Sequence, residues 1–256
     1  MSPGTPASTA FEPLDPNLVL GAYSVGVFPM ADGRDIDEIY WVEPSDRAIL
    51  PLDGFRLSHS LRKTIRAERY RVTADQAFGA VLRLCAESVD NRPDTWINGP
   101  IEQVFNTLHT LGFAHSIEVW DGDRLVGGLY GLALGRAFFG ESMVSRARDA
   151  SKVAMAWLVA RLRVGGFTLL DCQFMTDHLA TLGAIEISRE AYLALLSPAV
   201  SGAITVSGAS SGESSDVGDF FALDRGALDP LDAPPAAIES GPPSGKVIAQ
   251  LLTHTS

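Results

Sequence analysis

Residues Gly140 to Gly183 constrain the fold more than any other part of the chain. They read Gly140-Glu-Ser-Met-Val-Ser-Arg, then Asp149-Ala-Ser-Lys opening an apolar helical stretch. After Gly165-Gly166 come Leu169-Leu-Asp-Cys-Gln-Phe-Met-Thr-Asp-His and a Leu182-Gly stop. The order is strand, helix, strand, helix, with a polar residue at nearly every junction. Glu141 is expected near the end of the first strand, and Asp171 and Gln173 near the end of the second. Residues i and i+2 of a strand share a face, so Asp171 and Gln173 are predicted to point into one site, with Cys172 opposite as a small buried residue. Open α/β sheets bind ligands beyond their strand ends, where a carboxylate beside an amide suggests chemistry. The plainer alternatives are that Asp171 and Gln173 hydrogen-bond loop amides, and that Glu141 pairs with Arg146 or Lys152.

The remaining pattern extends this unit in both directions. Three strands are predicted as a meander over 114–120, 124–134 and 136–144, with turns at Asp121-Gly-Asp123 and Gly135. The helix of 149–164 is stopped by Gly165-Gly166. Thr176 or Asp177 can cap the short helix that ends at Gly183, and Ile185 and Ile187 mark a last short strand before a helix near 188–197. Upstream, apolar spacing predicts helices from Ser58 or Ser60 to Glu68, over 75–88 and over 99–112. The result is an α+β chain, with a mixed sheet and flanking helices in the order β-β-β-α-β-α-β. Residues 15–55 read as a small β-rich N-terminal domain that opens with a helix broken at Gly26, and 56–197 as the catalytic domain. Residues 1–14 are expected to be disordered. Residues 198–256 form a Gly/Ser/Pro-rich extension whose apolar islands, Phe220-Phe-Ala-Leu and Lys246-Val-Ile-Ala-Gln-Leu-Leu, suggest partial docking.

Composition narrows the class. The 256 residues are 46% hydrophobic, enough for a real core. No run approaches the roughly 18–20 apolar residues that span a membrane, and the N-terminus lacks a secretory pattern. Cys85 and Cys172 have neither the number nor the spacing of a disulfide framework or a metal site. A cytoplasmic protein with no membrane association and no bound metal is expected. The net charge of −11 speaks against a DNA-binding role. Positive charge is nonetheless clustered at Arg56, Arg62, Lys63, Arg66, Arg69 and Arg71. Such a stripe is either a solvated helix face or a contact for an RNA stem.

At Gly140-Glu-Ser-Met, Ala150-Ser-Lys, Asp171-Cys-Gln and Asp177-His the chain resembles the bacterial leucyl/phenylalanyl-tRNA–protein transferases. The likeness continues through His115-Ser-Ile-Glu-Val-Trp120, Leu125-Val-Gly-Gly-Leu-Tyr-Gly131, Thr95-Trp-Ile97, Gly26-Val-Phe-Pro-Met30 and Trp41-x-x-Pro44-x-x-Arg47, in consistent order over residues 15–197. It implies an N-acetyltransferase-like fold behind a small N-terminal domain. The implied activity is transfer of Leu, also Phe and Met, from aminoacyl-tRNA to the N-terminal α-amine of proteins beginning with Arg or Lys, which marks them for degradation by the N-end rule. By the same resemblance Gln173 accepts a proton from the attacking amine, Asp171 raises its electron density, Glu141 orients the donor, and the basic stripe of Arg56, Arg62, Lys63 and Arg66 holds tRNA. One departure stands out: Glu43 occupies a position where the family commonly has a small polar residue, and a carboxylate sits poorly beside phosphate.

Chemistry supports this reading over its competitors. Acyl-CoA N-acetyltransferases hold pyrophosphate with a Gly-rich turn at a helix N-terminus; the corresponding Ser145-Arg-Ala-Arg-Asp-Ala-Ser-Lys152 has no glycine, and Asp149 would repel phosphate. A non-catalytic RNA- or peptide-binding module would not need Glu141, Asp171 and Gln173 together. An aminoacyl-tRNA ester is already activated, so neither a cofactor nor a covalent intermediate is required. An amide oxygen is a very weak base, so Gln173 can instead orient the amine while a ribose hydroxyl moves the proton. Leu129, Phe138, Gly140 and Met143 are expected to line an apolar donor pocket, or else to be ordinary sheet core. Trp41 and Trp96 are candidates for stacking on the terminal adenine. His178 and His115 read as structural hydrogen-bonding residues.

Overall fold

The computed structural model describes residues 13–87, 95–205, 217–226 and 243–253. The expected disorder at the N-terminus, up to residue 12, and the greater part of the 198–256 extension lie outside the described residues. The N-terminal part contributes α1 (Pro16–Ser24), β1 (Phe28–Met30), β2 (Tyr40–Val42) and β3 (Asp46–Ile49). There follow α2 (His59–Arg66), β4 (Arg71–Ala74), α3 (Phe78–Ala86), α4 (Gly99–Thr110), β5 (Ala114–Asp121), β6 (Arg124–Leu134), β7 (Ala137–Ser145) and α5 (Ala150–Val164). The chain continues through β8 (Leu169–Gln173), α6 (Asp177–Leu182), β9 (Ile185–Ser188) and α7 (Arg189–Thr205), and α8 (Gly245–Leu251) is the last described element.

Seven strands form one sheet in the order β4-β5-β6-β7-β8-β3-β9. Only β7 and β8 run parallel; the other neighbours are antiparallel. A parallel step needs a crossover, and α5 supplies it. That helix is buried on all sides apart from Lys152, Arg163 and Val164, as expected for a helix without a polar face. One face of the sheet packs with α5, α2 and α8, and the other with α1, α3, α4 and α7. This is the mixed, helix-flanked architecture expected.

Two predicted boundaries move. The strand Asp46–Ile49 does not stay with an N-terminal β module; it is inserted between β8 and β9, and only β1 and β2 form a separate two-stranded sheet. Its continuous burial through Arg47, Ala48 and Ile49 suits a strand covered on both faces. The other shift is in the helix expected near 188–197. Here α7 runs on to Thr205 through Pro198, and the buried Ala199 accepts the Arg136 backbone N–H.

Both apolar islands of the extension dock. Phe220 stacks on His115 at 4.2 Å, and Asp224 pairs with Arg161 at 2.5 Å. Ile248 and Leu252 enter the core, and the Gly245 backbone lies so close to α2 that a Cβ there would sit 2.0 Å from the Ile65 carbonyl oxygen.

Candidate active site

The site begins with an irregularity in β7. Tyr130 pairs with Ser142 and Gly131 with Gly140, so Glu141 is an extra residue opposite no partner. A bulge of this kind re-aims a side chain. It lies in the middle of β7, not near its end as the sequence pattern suggests. On the other side of β7, pairing with β8 runs from Ala137–Leu169 to Phe139–Asp171 and stops. The two parallel strands part there, and a cavity of about 750 Å³ opens between them and α5.

Asp171 and Gln173 do not share a face. Leu170 and Cys172 line the cavity, whereas Asp171 points to the opposite face and is completely buried. Gln173 nevertheless reaches the cavity because its backbone is left-handed, with φ of 64°. That conformation breaks the period-two rule. It costs a non-glycine residue roughly 1–2 kcal/mol and persists only when its surroundings enforce it. Enforcement comes from Asp171, whose Oδ1 accepts the Gln173 backbone N–H at 2.7 Å. The same carboxylate receives Arg47 Nη2 at 2.6 Å and the Tyr192 hydroxyl at 2.8 Å. The loop-amide alternative is thus realised for Asp171. Cys172, expected on the face opposite the site, lines the cavity together with Gln173, and burial pushes its thiol far above the ordinary range, so it is no ready nucleophile.

Glu141 has neither of the ion pairs considered for it: Arg146 pairs with Glu87, and both Glu141 oxygens are buried without a hydrogen bond. Burial, with the Asp171 charge adding to it, pushes its carboxyl up to about 8. Tyr23 of α1 and the Gln173 amide lie beside it and oppose the shift, without closing to hydrogen-bond geometry; the Tyr23 hydroxyl and Gln173 Nε2 are likewise unpaired. A buried carboxylate, a phenol and an amide therefore converge with unmet hydrogen-bonding capacity. Such groups carry a desolvation cost of about 1–3 kcal/mol each until a partner arrives, and here the partner would be a ligand in the cavity.

The rest of the wall is largely apolar. Leu129, Gly140 and Met143, the positions considered for a donor pocket, line it, as does Trp96, considered for stacking on adenine; Met155, Leu158 and Leu170, which sequence reasoning missed, join them. Met155 and Leu158 are one turn apart on α5, but the helix is apolar all round and no stripe singles them out. Phe138 does not line the cavity: it packs against Phe167 and Phe220, where β7 is still paired to β8. Trp41 lies on β2 away from the cavity wall and is 38% exposed. His115 is structural, bonded to Asp75 at 2.7 Å. His178 is at the cavity wall, 3.5 Å from the Ser151 hydroxyl, and burial lowers its basicity.

Of the basic stripe, Arg62, Lys63 and Arg66 border a shallow surface concavity on α2, and Arg56 is exposed nearby in sequence. None of these four has an acidic partner among the described residues, whereas Arg69 and Arg71 lie over Tyr70 and Trp120. Glu43 is engaged in an ion pair with Arg189. Asp149 starts α5 in a left-handed conformation with no side-chain cap, so the junction that would hold a CoA pyrophosphate carries a carboxylate.

A sheet parted around a buried carboxylate and amide, at the head of an apolar pocket, has the shape and chemistry to hold the donor of an acyl-group transfer. Comparison with known proteins makes the class specific. A family model described as leucyl/phenylalanyl-tRNA protein transferase matches residues 49–197, and one for the N-terminal domain of the same proteins matches 12–45. The Leucyl/phenylalanyl-tRNA--protein transferase of Rhizorhabdus wittichii is 60% identical, over 95% of this chain and 99% of the relative. Proteins of the same name from Zymomonas mobilis and Novosphingobium aromaticivorans are 59% and 47% identical, over 85% and 95% of this chain and 78% and 97% of their own lengths. The chain belongs to the leucyl/phenylalanyl-tRNA–protein transferase family and is an aminoacyltransferase that acts from tRNA onto protein. Among the described residues no helix is long and apolar enough to cross a membrane.

Proposed function

We propose that the protein transfers leucine, and less strictly phenylalanine or methionine, from its tRNA ester to the α-amine of proteins that begin with Arg or Lys. The added residue would mark the acceptor for degradation by the N-end rule in the cytoplasm. The observation that carries this reading is the cavity itself. Its apolar wall of Leu129, Met143, Met155, Leu158 and Leu170 suits an aliphatic or flat side chain, and its polar end presents Glu141 and Gln173 with unmet bonds.

In this scheme the donor side chain lies among the two methionines and three leucines, and Glu141 faces its α-ammonium. The acceptor amine attacks the ester carbonyl. Gln173 orients that amine through its amide, and its free Nε2 donors are available to the oxygen on which charge develops. The amine's proton passes to the departing ribose oxygen, by way of the neighbouring hydroxyl. An orienting Gln173 is favoured over a basic one because Asp171 touches its backbone N–H, not its amide group. Trp96 is available to stack on the terminal adenine, with Trp41 as an outer contact. Labelled Leu-tRNA and a peptide starting with Arg test the whole reading: transfer is expected, and its absence alongside acetyl transfer from acetyl-CoA would refute it.

Donor selectivity follows from the wall. An apolar pocket rejects one methylene by only about 1–3 kcal/mol, but a charged side chain costs much more. Leu-tRNA should be used best, Phe- and Met-tRNA to lesser degrees, and Asp- and Lys-tRNA not at all. Substituting Met143→Phe should penalise Phe more than Leu, read by competition between charged tRNAs. Efficient Asp transfer would overturn the apolar pocket.

For tRNA, Arg62, Lys63 and Arg66 form the proposed contact, with Arg56 beside them. Reversing the charge of the first three should weaken binding with the fold intact. The slope of log K against log salt should become shallower by about 0.7–0.9 for each phosphate that is no longer neutralised. Equal slopes for both proteins would return the stripe to a solvated face.

A further inference from the structure

We infer that Arg47 and Tyr192 are positioning residues for the transfer step, acting through Asp171 on the backbone of Gln173. The inference rests on the role proposed for Gln173 and extends it to two residues that do not line the cavity.

Arg47 lies in β3 and is 1% exposed. Its Nε contacts Asp171 Oδ1 at 3.0 Å and Oδ2 at 3.1 Å, its Nη2 contacts Oδ2 at 2.6 Å, and its Nη1 donates to the Gly26 carbonyl at 3.0 Å. The guanidinium is sandwiched between the rings of Phe28 and Tyr192, at 4.7 and 4.6 Å from their centroids. The Tyr192 hydroxyl, from α7, closes the set at Oδ2. Asp171 thus receives donors from β3, from α7 and from the Gln173 backbone. This occupancy leaves the carboxylate no role as a proton acceptor in the cavity. It does give it a geometric role, because Oδ1, which holds the Gln173 N–H, is itself held by Arg47.

The consequence is mechanical. Gln173 is a non-glycine residue kept left-handed at the point where β7 and β8 part. If Asp171 turns, the N–H of Gln173 loses its acceptor, its backbone can relax towards the extended form, and its amide swings away from Glu141. Only a planar fork can meet both carboxylate oxygens and a third carbonyl at once, so lysine at position 47 would keep the charge and lose the geometry. Because the fork also grips Gly26 at the end of α1, the N-terminal segment is tied to the catalytic strand by the same side chain.

The test is a double-mutant cycle with single-turnover transfer and tRNA binding as readouts. R47K and Y192F should each slow transfer by about tenfold or more, given how steeply rates respond to misplaced groups, with the Leu-tRNA dissociation constant within about twofold of wild type. In a Q173A background neither substitution should slow transfer further, since the group they position is gone. A residue that merely stabilised the fold would add its full factor in both backgrounds, and that result would overturn the inference, as would wild-type rates for both single variants. Should R47K fail to fold, Y192F carries the cycle alone, because it removes one hydroxyl and keeps the ring over Arg47. A wild-type rate for Q173A by itself would instead refute the role given to Gln173, and this inference with it.

Discussion

Replacing Gln173 with alanine is expected to slow single-turnover transfer by about 10²-fold or more, with tRNA affinity nearly unchanged. The expected size is that of losing one well-placed hydrogen-bonding group at a reacting centre. The direction follows from where the side chain lies: it is 6% exposed, its Nε2 has no protein partner, and Glu141 is its neighbour. The tRNA contact proposed at α2 does not include it. The change is also clean in the fold, since glutamine and alanine are both β-carbon residues that bear a left-handed backbone at similar cost, and the Asp171 bond is to main chain. Filter binding and rapid-mixing transfer separate the two effects. A near-normal rate would remove Gln173 from the chemistry.

Much of this site is legible in the sequence because strand and helix periods are local. The β5-β6-β7 meander, the α5 crossover and β8 fall within a few residues of where turn and periodicity signals put them. Leu129, Gly140 and Met143, on the neighbouring strands of that meander, line the cavity. What cannot be read are the departures from regular geometry that make the site. The bulge that re-aims Glu141 depends on the pairing register with β6, which no sequence window contains. The left-handed backbone of Gln173 inverts the i, i+2 rule, and its N–H is bonded to Asp171, whose partner Arg47 is 124 residues away in sequence. Phe138 shares the sheet face of Gly140 and Met143 but falls outside the pocket, because it lies where β7 is still paired to β8 and packs against Phe167 and Phe220; both of those contacts are long-range. The insertion of β3 beside β8 is a long-range pairing of the same kind. Its motif, Trp41-x-x-Pro44-x-x-Arg47, is visible, but nothing in it says that the arginine will be buried against Asp171 of β8.

Glu141→Gln is expected to change the pH dependence of the protein as well as its activity, and the two effects share one cause. Burial of a carboxyl with no hydrogen bond to either oxygen raises it from 4.5 to about 8. In the unfolded chain the group loses its proton near 4.5, while in the native protein without substrate it keeps it up to about 8. Between those values the native state binds more protons than the unfolded state, so stability falls as pH rises and levels off above about 8. The loss has an upper bound of about 5 kcal/mol for the whole shift. The E141Q variant carries no titrating group at this position and should erase that slope. The wild-type thermal midpoint should therefore drop relative to that of E141Q between pH 5 and pH 8. With substrate bound the order reverses. A donor α-ammonium next to Glu141 favours the carboxylate and draws its proton away, so Leu-tRNA should stabilise wild type more than E141Q at pH 7. Transfer by E141Q should be slower by about 10²-fold, the scale of removing a charged partner at a reacting centre. Kinetic pH profiles alone would not assign this, because the acceptor amine also titrates at roughly 7.7–8.0. The thermal difference curve does, since no acceptor is present. Parallel curves for the two proteins from pH 5 to pH 8 would show that Glu141 titrates like an ordinary surface acid, and its place beside the donor ammonium would then have to be given up.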